Sequence, residues 1–171
     1  MTASFTAEIR TAIEVLASRP LIRLITEIDD NGAIQPRQLA ATLPDLSAQH
    51  LRIATETARN HGLVRTAPGA GLELTPRGQE LADVYDAAAR WSRRHTSPVE
   101  ICEFTDRVRH VLGLLALQIS SEGAQDPARP SAASWAGTEP ETDPAHVRVL
   151  LLQWLAENPQ LTCLSTYEPV A

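Results

Sequence analysis

Apolar residues recur at helical spacing over most of the chain, in blocks separated by Gly- and Pro-containing breaks. Ile9, Ile13 and Leu16 predict a helix from Ala7 to about Ala17. Leu21, Leu24, Ile25 and Ile28 predict a second one starting near Pro20, with Ser18 as a candidate N-cap. Asp29-Asp30-Asn31-Gly32 is a strong stop and turn signal, and Ala33-Ile34-Gln35 has room for a very short strand before Pro36 opens another helix.

The stretch Arg37 to Val64 organises the rest. It reads as a short helix, a tight turn at Leu43-Pro44-Asp45-Leu46, a second helix over 48–61 capped by Ser47, and a strand start. The Ser47 hydroxyl can accept one of the backbone N–H groups left without a partner at a helix start. Leu39, Leu46, Leu51 and Ala58 can face inward with Thr55 beside them, and Gly62 can close the helix with positive φ. Two short helices joined in this way have the helix-turn-helix layout, in which the second helix is offered to the DNA major groove. A trihelical core would draw on Leu21, Leu24, Ile25, Ile28, Leu39, Leu51 and Ala58.

Leu63-Val64-Arg65-Thr66 and Leu72-Glu73-Leu74-Thr75 flank a Gly/Pro loop at 67–71 and predict a β-hairpin. A hairpin directly after the second helix turns the layout into a winged helix. The wing is short, so a contact from it would fall to Arg65 or Arg77 and reach a phosphate at most. Thr75-Pro76 then starts a helix running to His95, with Leu81, Val84, Tyr85, Ala88 and Trp91 at helical spacing and Arg90, Arg93 and Arg94 suited to its C-terminal end.

Beyond Thr96-Ser97-Pro98, a long helix from Val99 to Ser120 carries Ile101, Phe104, Val108, Val111, Leu112, Leu115, Leu117 and Ile119. Its apolar face is wide enough that part of it is expected to meet another chain. Residues 122–144 have the composition of a flexible linker. A last helix follows from Ala145 to Glu157, and Leu161-Thr162-Cys163-Leu164 could form one short strand. The expected organisation is a mainly α fold with a small β-hairpin. Residues 7–95 form a winged helix-turn-helix domain, and 98–171 form an acidic helical extension that serves dimerisation.

Charge sharpens this division. The 171 residues carry a net charge of −6, and 96–171 hold four Arg against ten acids. Residues 1–62 have six Arg against seven acids, so the helix-turn-helix stretch is close to neutral. That is compatible with DNA binding through local Arg placement, and it implies weak non-specific affinity. Every basic side chain other than His is Arg, which composition bias explains as well as DNA recognition does.

No apolar run is long enough to span a membrane, and MTASFTAEIR lacks the basic and apolar regions of a secretory leader. The two cysteines, Cys102 and Cys163, are expected to be reduced thiols, and the protein is expected in the cytoplasm. The histidines His50, His61, His95, His110 and His146 show no zinc spacing, and no catalytic constellation appears, so no cofactor, metal or enzymatic step is expected. Asp29-Asp30-Asn31-Gly32 lacks the later ligands of a calcium loop. Trp91, Trp135 and Trp154 could line a pocket for a small-molecule effector, though core and interface packing is the favoured role.

RQLAATLPDLSAQHLRIATETARNHGLVR followed by LELTPRGQELADVYDAAARWSRRH resembles the HxlR-type winged helix regulators, neighbours of the MarR-type proteins. The resemblance covers about Ile13 to His95. Its most specific part is the succession L-P-x-L-S, G-L-V, L-T-P-x-G and W-x-x-R-H in the right order and spacing. Arg19-Pro20 departs from that family's Gly-Lys-Trp-like start of the second helix, and its N-terminal redox cysteine is absent. The resemblance implies a homodimeric transcriptional regulator that binds a palindromic promoter site. By position, Ala48, Gln49, Arg52, Ile53 and Glu56 lie on the surface offered to DNA, with Gln49 able to read adenine and Arg52 guanine or a phosphate. The competing expectation is a winged helix protein-interaction module that has lost DNA binding, suggested by Ile53, Glu56 and the near-neutral charge.

Overall fold

The computed structural model describes residues 2–95, 103–123 and 144–161. The fold is mainly α-helical with one small antiparallel β-hairpin. In order come α1 (Thr2–Leu16), α2 (Arg19–Asn31), a 3-10 turn (Pro36–Gln38), α3 (Leu39–Thr42), α4 (Ala48–Asn60), β1 (Val64–Ala67), β2 (Gly71–Leu74), α5 (Pro76–His95), α6 (Phe104–Gly123), α7 (Ala145–Glu157) and a second 3-10 turn (Pro159–Leu161).

Helix α2 sits at the centre. Leu21, Ile22, Leu24 and Ile25 are completely buried and Ile28 nearly so. They are covered by α4, α5, α6 and β2. Pro20 fits the first turn, where no N–H partner is missed. Ser18 holds the N-cap position but its side chain makes no capping bond, contrary to the role expected for it. The helix also runs through Asp29, Asp30 and Asn31, which the turn signal had placed outside it, and stops only at Gly32. Gly32, at φ 81°, donates its N–H to the Ile28 carbonyl and turns the chain out. Partial desolvation raises the Asp29 carboxyl pKa from its ordinary value, and repulsion from Asp30, Asp83 and Asp86 adds to it.

The expected short strand at 33–35 is a single bridge, in which Ile34 and Leu72 exchange N–H···O bonds of 2.9 and 2.8 Å. The hairpin pairs Val64 with Leu74, Arg65 with Glu73, Thr66 with Leu72 and Ala67 with Gly71. Gly71, at φ 105°, has no room for a side chain, because a Cβ there would meet the Ile34 carbonyl.

Thr75 joins three elements. Its hydroxyl donates to the Gly62 carbonyl (2.6 Å), at the end of α4, and accepts the Gly78 N–H (3.3 Å) as N-cap of α5. Helix α5 then carries fully buried Tyr85, whose hydroxyl donates to the Leu16 carbonyl at 2.7 Å and so closes the end of α1. Full burial pushes the Tyr85 pKa upward.

Helix α6 starts later than expected, and 96–102 lie outside the described residues. Its buried Val108, Val111, Leu112, Leu115 and Ile119 form part of the core, and the helix packs on α1 and α5. Leu117 remains 69% exposed. Nearly all of the expected linker, 124–143, lies outside the described residues, as do Cys102, Trp135 and Cys163. Helix α7 packs on α5 through Val147, Leu151, Trp154 and Leu155. Pro159–Leu161 forms a 3-10 turn and buries Leu161, and residues 162–164 of the expected short strand lie outside the described residues. No helix among the described residues is long and apolar enough to cross a membrane.

Two glycines in helices separate backbone from packing effects. Gly113 is exposed with open space where a Cβ would go, so Gly113→Ala is expected to raise the unfolding free energy by about 0.5–1 kcal/mol. Gly78 faces the Leu63 carbonyl and the Leu74 side chain, so Gly78→Ala is expected to lower it by about 1–3 kcal/mol. Urea unfolding of the two variants against the parent chain checks both signs.

Candidate functional site

The exposed face of α4 is the candidate site. Leu43 turns the chain with its carbonyl accepting the Leu46 N–H (3.1 Å), and both leucines are buried. Asp45 in that turn is gripped by Arg23, with contacts of 3.1 and 3.3 Å, which ties the turn to α2. The hydrogen bond from Arg23 lowers the Asp45 pKa, with Coulombic attraction adding to it. Ser47 caps α4 as expected, its oxygen accepting the His50 N–H at 3.2 Å. Leu51, Ala54, Thr55 and Ala58 face inward, with Thr55 donating to the Leu51 carbonyl at 2.7 Å.

Of the seven residues read from the sequence, five share this face. Ala48, Gln49, Arg52, Ile53 and Glu56 are all exposed, at spacings of three and four residues that keep them on one side of the helix. Ile53 is 44% exposed, so its side chain is not consumed by packing within the chain. Arg52 and Glu56 form an exposed pair at 3.5 Å one turn apart. Such a pair is worth little in water and either partner is free to exchange it for another.

Arg65 and Arg77 are not brought to that face. Arg65 lies on the outer side of the hairpin, opposite Glu73, and its Nε reaches that carboxylate at 2.6 Å. Strand alternation turns its side chain away from Val64 and Thr66, and its charge is matched by Glu73. Arg77 lies at the far end of α4, its guanidinium beside Gly62, roughly 20 Å along the helix from Ala48. Its carbonyl accepts the Trp154 indole N–H at 3.0 Å.

The basic residue that the sequence reading missed is Arg59. One turn beyond Thr55, it donates to the Thr66 hydroxyl at 3.4 Å and so links α4 to the hairpin. Arg52, Glu56 and Arg59 rim a shallow groove of about 280 Å³ floored by Leu39, Leu51 and Leu72. The signal for Arg59 was its spacing of seven residues from Arg52, which puts both on one face.

A second cavity of about 220 Å³ lies between α5 and α7. Trp154 forms one wall, and Glu80, Asp83 and Glu157 stand around it. Trp91 takes no part, being stacked on His95 with ring centroids 4.7 Å apart. At the C-terminal end of α4, Gln160 donates to the His61 carbonyl at 3.2 Å, so the segment after α7 touches the end of the candidate helix.

His61 is buried there, and desolvation pushes its pKa below the ordinary 6.5. The unfolded chain therefore takes up the proton first. The stability contributed by neutral His61 is complete above the ordinary histidine pKa and is lost as the pH falls toward the lower folded value. Urea midpoints measured between pH 7.5 and 5.5 are expected to fall on acidification, and to fall less in His61→Gln.

Compared with known proteins, the chain matches no family model, no curated protein and no solved structure.

Proposed function

We propose that the chain is a DNA-binding transcriptional regulator of winged helix-turn-helix type, resembling HxlR-type proteins, that acts as a cytoplasmic homodimer on a two-fold symmetric promoter site. The observation that carries this reading is the face of α4 on which Gln49, Arg52, Ile53 and Glu56 are all exposed. The capped, outward-facing second helix behind a tight turn, with a hairpin after it, supports the same reading. Gln49 is suited to adenine and Arg52 to guanine or a phosphate once it leaves Glu56. Arg59, held toward Thr66, is suited to a phosphate at the groove edge. The mechanism is non-covalent, with any switch acting on the separation of two recognition helices, which should be about 34 Å in a competent dimer.

The reading of α4 as a protein-binding face draws on the pairing of Arg52 with Glu56 and of Arg65 with Glu73, which leaves little free positive charge. Selection of duplexes from a randomised pool by the full chain, at low and physiological salt, separates the two readings. A recovered palindromic site is the expected result, and recovery of no specific site at low salt overturns DNA binding. On the recovered site, Arg52→Ala is expected to weaken binding by about 5- to 100-fold. Arg59→Ala is expected to lower the salt slope by about one, while Arg65→Ala leaves affinity unchanged.

A further inference from the structure

Ile53 has no structural task that explains it. It is one of three large apolar side chains that stand exposed among the described residues, and the other two, Leu117 and Val149, lie on α6 and α7. A β-branched residue on an exposed helix face gains nothing from propensity, since straight-chain polar residues do better there. A single exposed isoleucine alone means little. Its neighbours give it a meaning. Gln49 is one turn before it and Arg52 adjoins it, both exposed, and Glu56 follows three residues on. Three hydrogen-bonding side chains of the kinds that read base edges therefore surround one apolar side chain.

The major groove presents one apolar feature that distinguishes bases, the 5-methyl group of thymine. We infer that Ile53 reads a thymine methyl in each half-site and is a specificity-determining residue of the α4 face. The inference rests on the DNA-binding reading above and adds to it the identity of one base. Charge supports this occupant: Arg52 and Arg59, seven residues apart, lie together to one side of Ile53 and suit phosphates along one edge of a groove. For a helix lying along the groove, the separation of Gln49 and Ile53 gives a rough register. Four residues of helix span about 6 Å, and base pairs are about 3.4 Å apart, so the thymine lies about two base steps from the base that Gln49 contacts.

The contact is small and its test can be correspondingly sharp. Deoxyuridine has the same hydrogen-bonding edge as thymidine and lacks only the methyl group. With the full chain on its selected operator, each thymine is replaced in turn by deoxyuridine and binding is measured by titration. One position per half-site is expected to lose about fourfold in affinity, the effect of one methyl group removed from an apolar contact. Ile53→Ala is expected to bind the unsubstituted operator more weakly and to be indifferent to deoxyuridine at that same position. Ile53 is exposed, so the variant keeps the fold, which its thermal unfolding verifies. Binding of the operator by the parent chain with no methyl-sensitive thymine overturns the inference while leaving DNA binding intact. Sensitivity that persists undiminished in Ile53→Ala overturns it as well. Recovery of no operator at all overturns both.

Discussion

The apolar stripe of α2 is the constraint on which the remaining structure depends. Four of its residues are wholly out of water, and no single neighbour covers them: α4, α5, α6 and β2 share the work. Each fully buried Leu or Ile is worth about 1.5–3 kcal/mol relative to exposure, so leaving any of these positions uncovered would be costly. Covering them from several directions sets where α4 can lie. Arg23 on the same helix then pins the turn before α4 through Asp45. The orientation of the candidate face follows from α2, although none of α2's core residues takes part in that face.

At the other end of α4 the constraint is polar. Gly62 at φ 65° ends the helix, and the Thr75 hydroxyl takes its carbonyl while capping α5. One side chain thus fastens the end of α4, the closing strand of the hairpin and the start of α5. Arg59 and Thr66 add a second link on the exposed side. The segment after α7 reaches the same junction through Gln160, and α7 itself reaches it through Trp154 and the Arg77 carbonyl. The described residues of the acidic C-terminal part, 144–161, are therefore in contact with the base of the candidate helix.

Local chemistry made much of this legible from the sequence. Ser47, Gly62 and Thr75-Pro76 act through groups within a few residues of themselves, and the α4 face follows from helical period alone. The hairpin was legible as two strands around a Gly/Pro loop but without its register, while the bridge between Ile34 and Leu72 was legible only as a short strand with no partner. What the sequence left out depends on distance in the fold. Arg65 looked available because Glu73 is eight residues away, and only the hairpin register puts the two side by side. Arg77 looked close to the wing because it follows the hairpin, yet α5 starts at the opposite end of α4. Arg59 looked like an ordinary last-turn cation, which favours a helix C-terminus in any case, until Thr66 stood beside it. Ser18 had the residue type of a cap without the geometry.

The charge balance of the α4 face narrows how such a surface can work. Arg52 is partnered by Glu56, and Arg65 on the hairpin by Glu73. Few free cations then remain to displace counterions from a duplex, and non-specific attraction, which scales with the number of phosphates neutralised, must be weak. A face of this kind gains affinity only where the groove matches it: Arg52 must find a partner good enough to replace Glu56, and Glu56 must then meet a donor such as a cytosine amino group or be repelled. Both conditions are absent on a random sequence. The near-neutral charge, which by itself argues against DNA, becomes a source of discrimination when charged groups on the face are already paired with one another. Breaking the exposed Arg52–Glu56 pair costs little in water, so discrimination would come from what Glu56 meets at the wrong site. An unmatched carboxylate there is repelled, and two such faces on one symmetric site would apply that penalty twice.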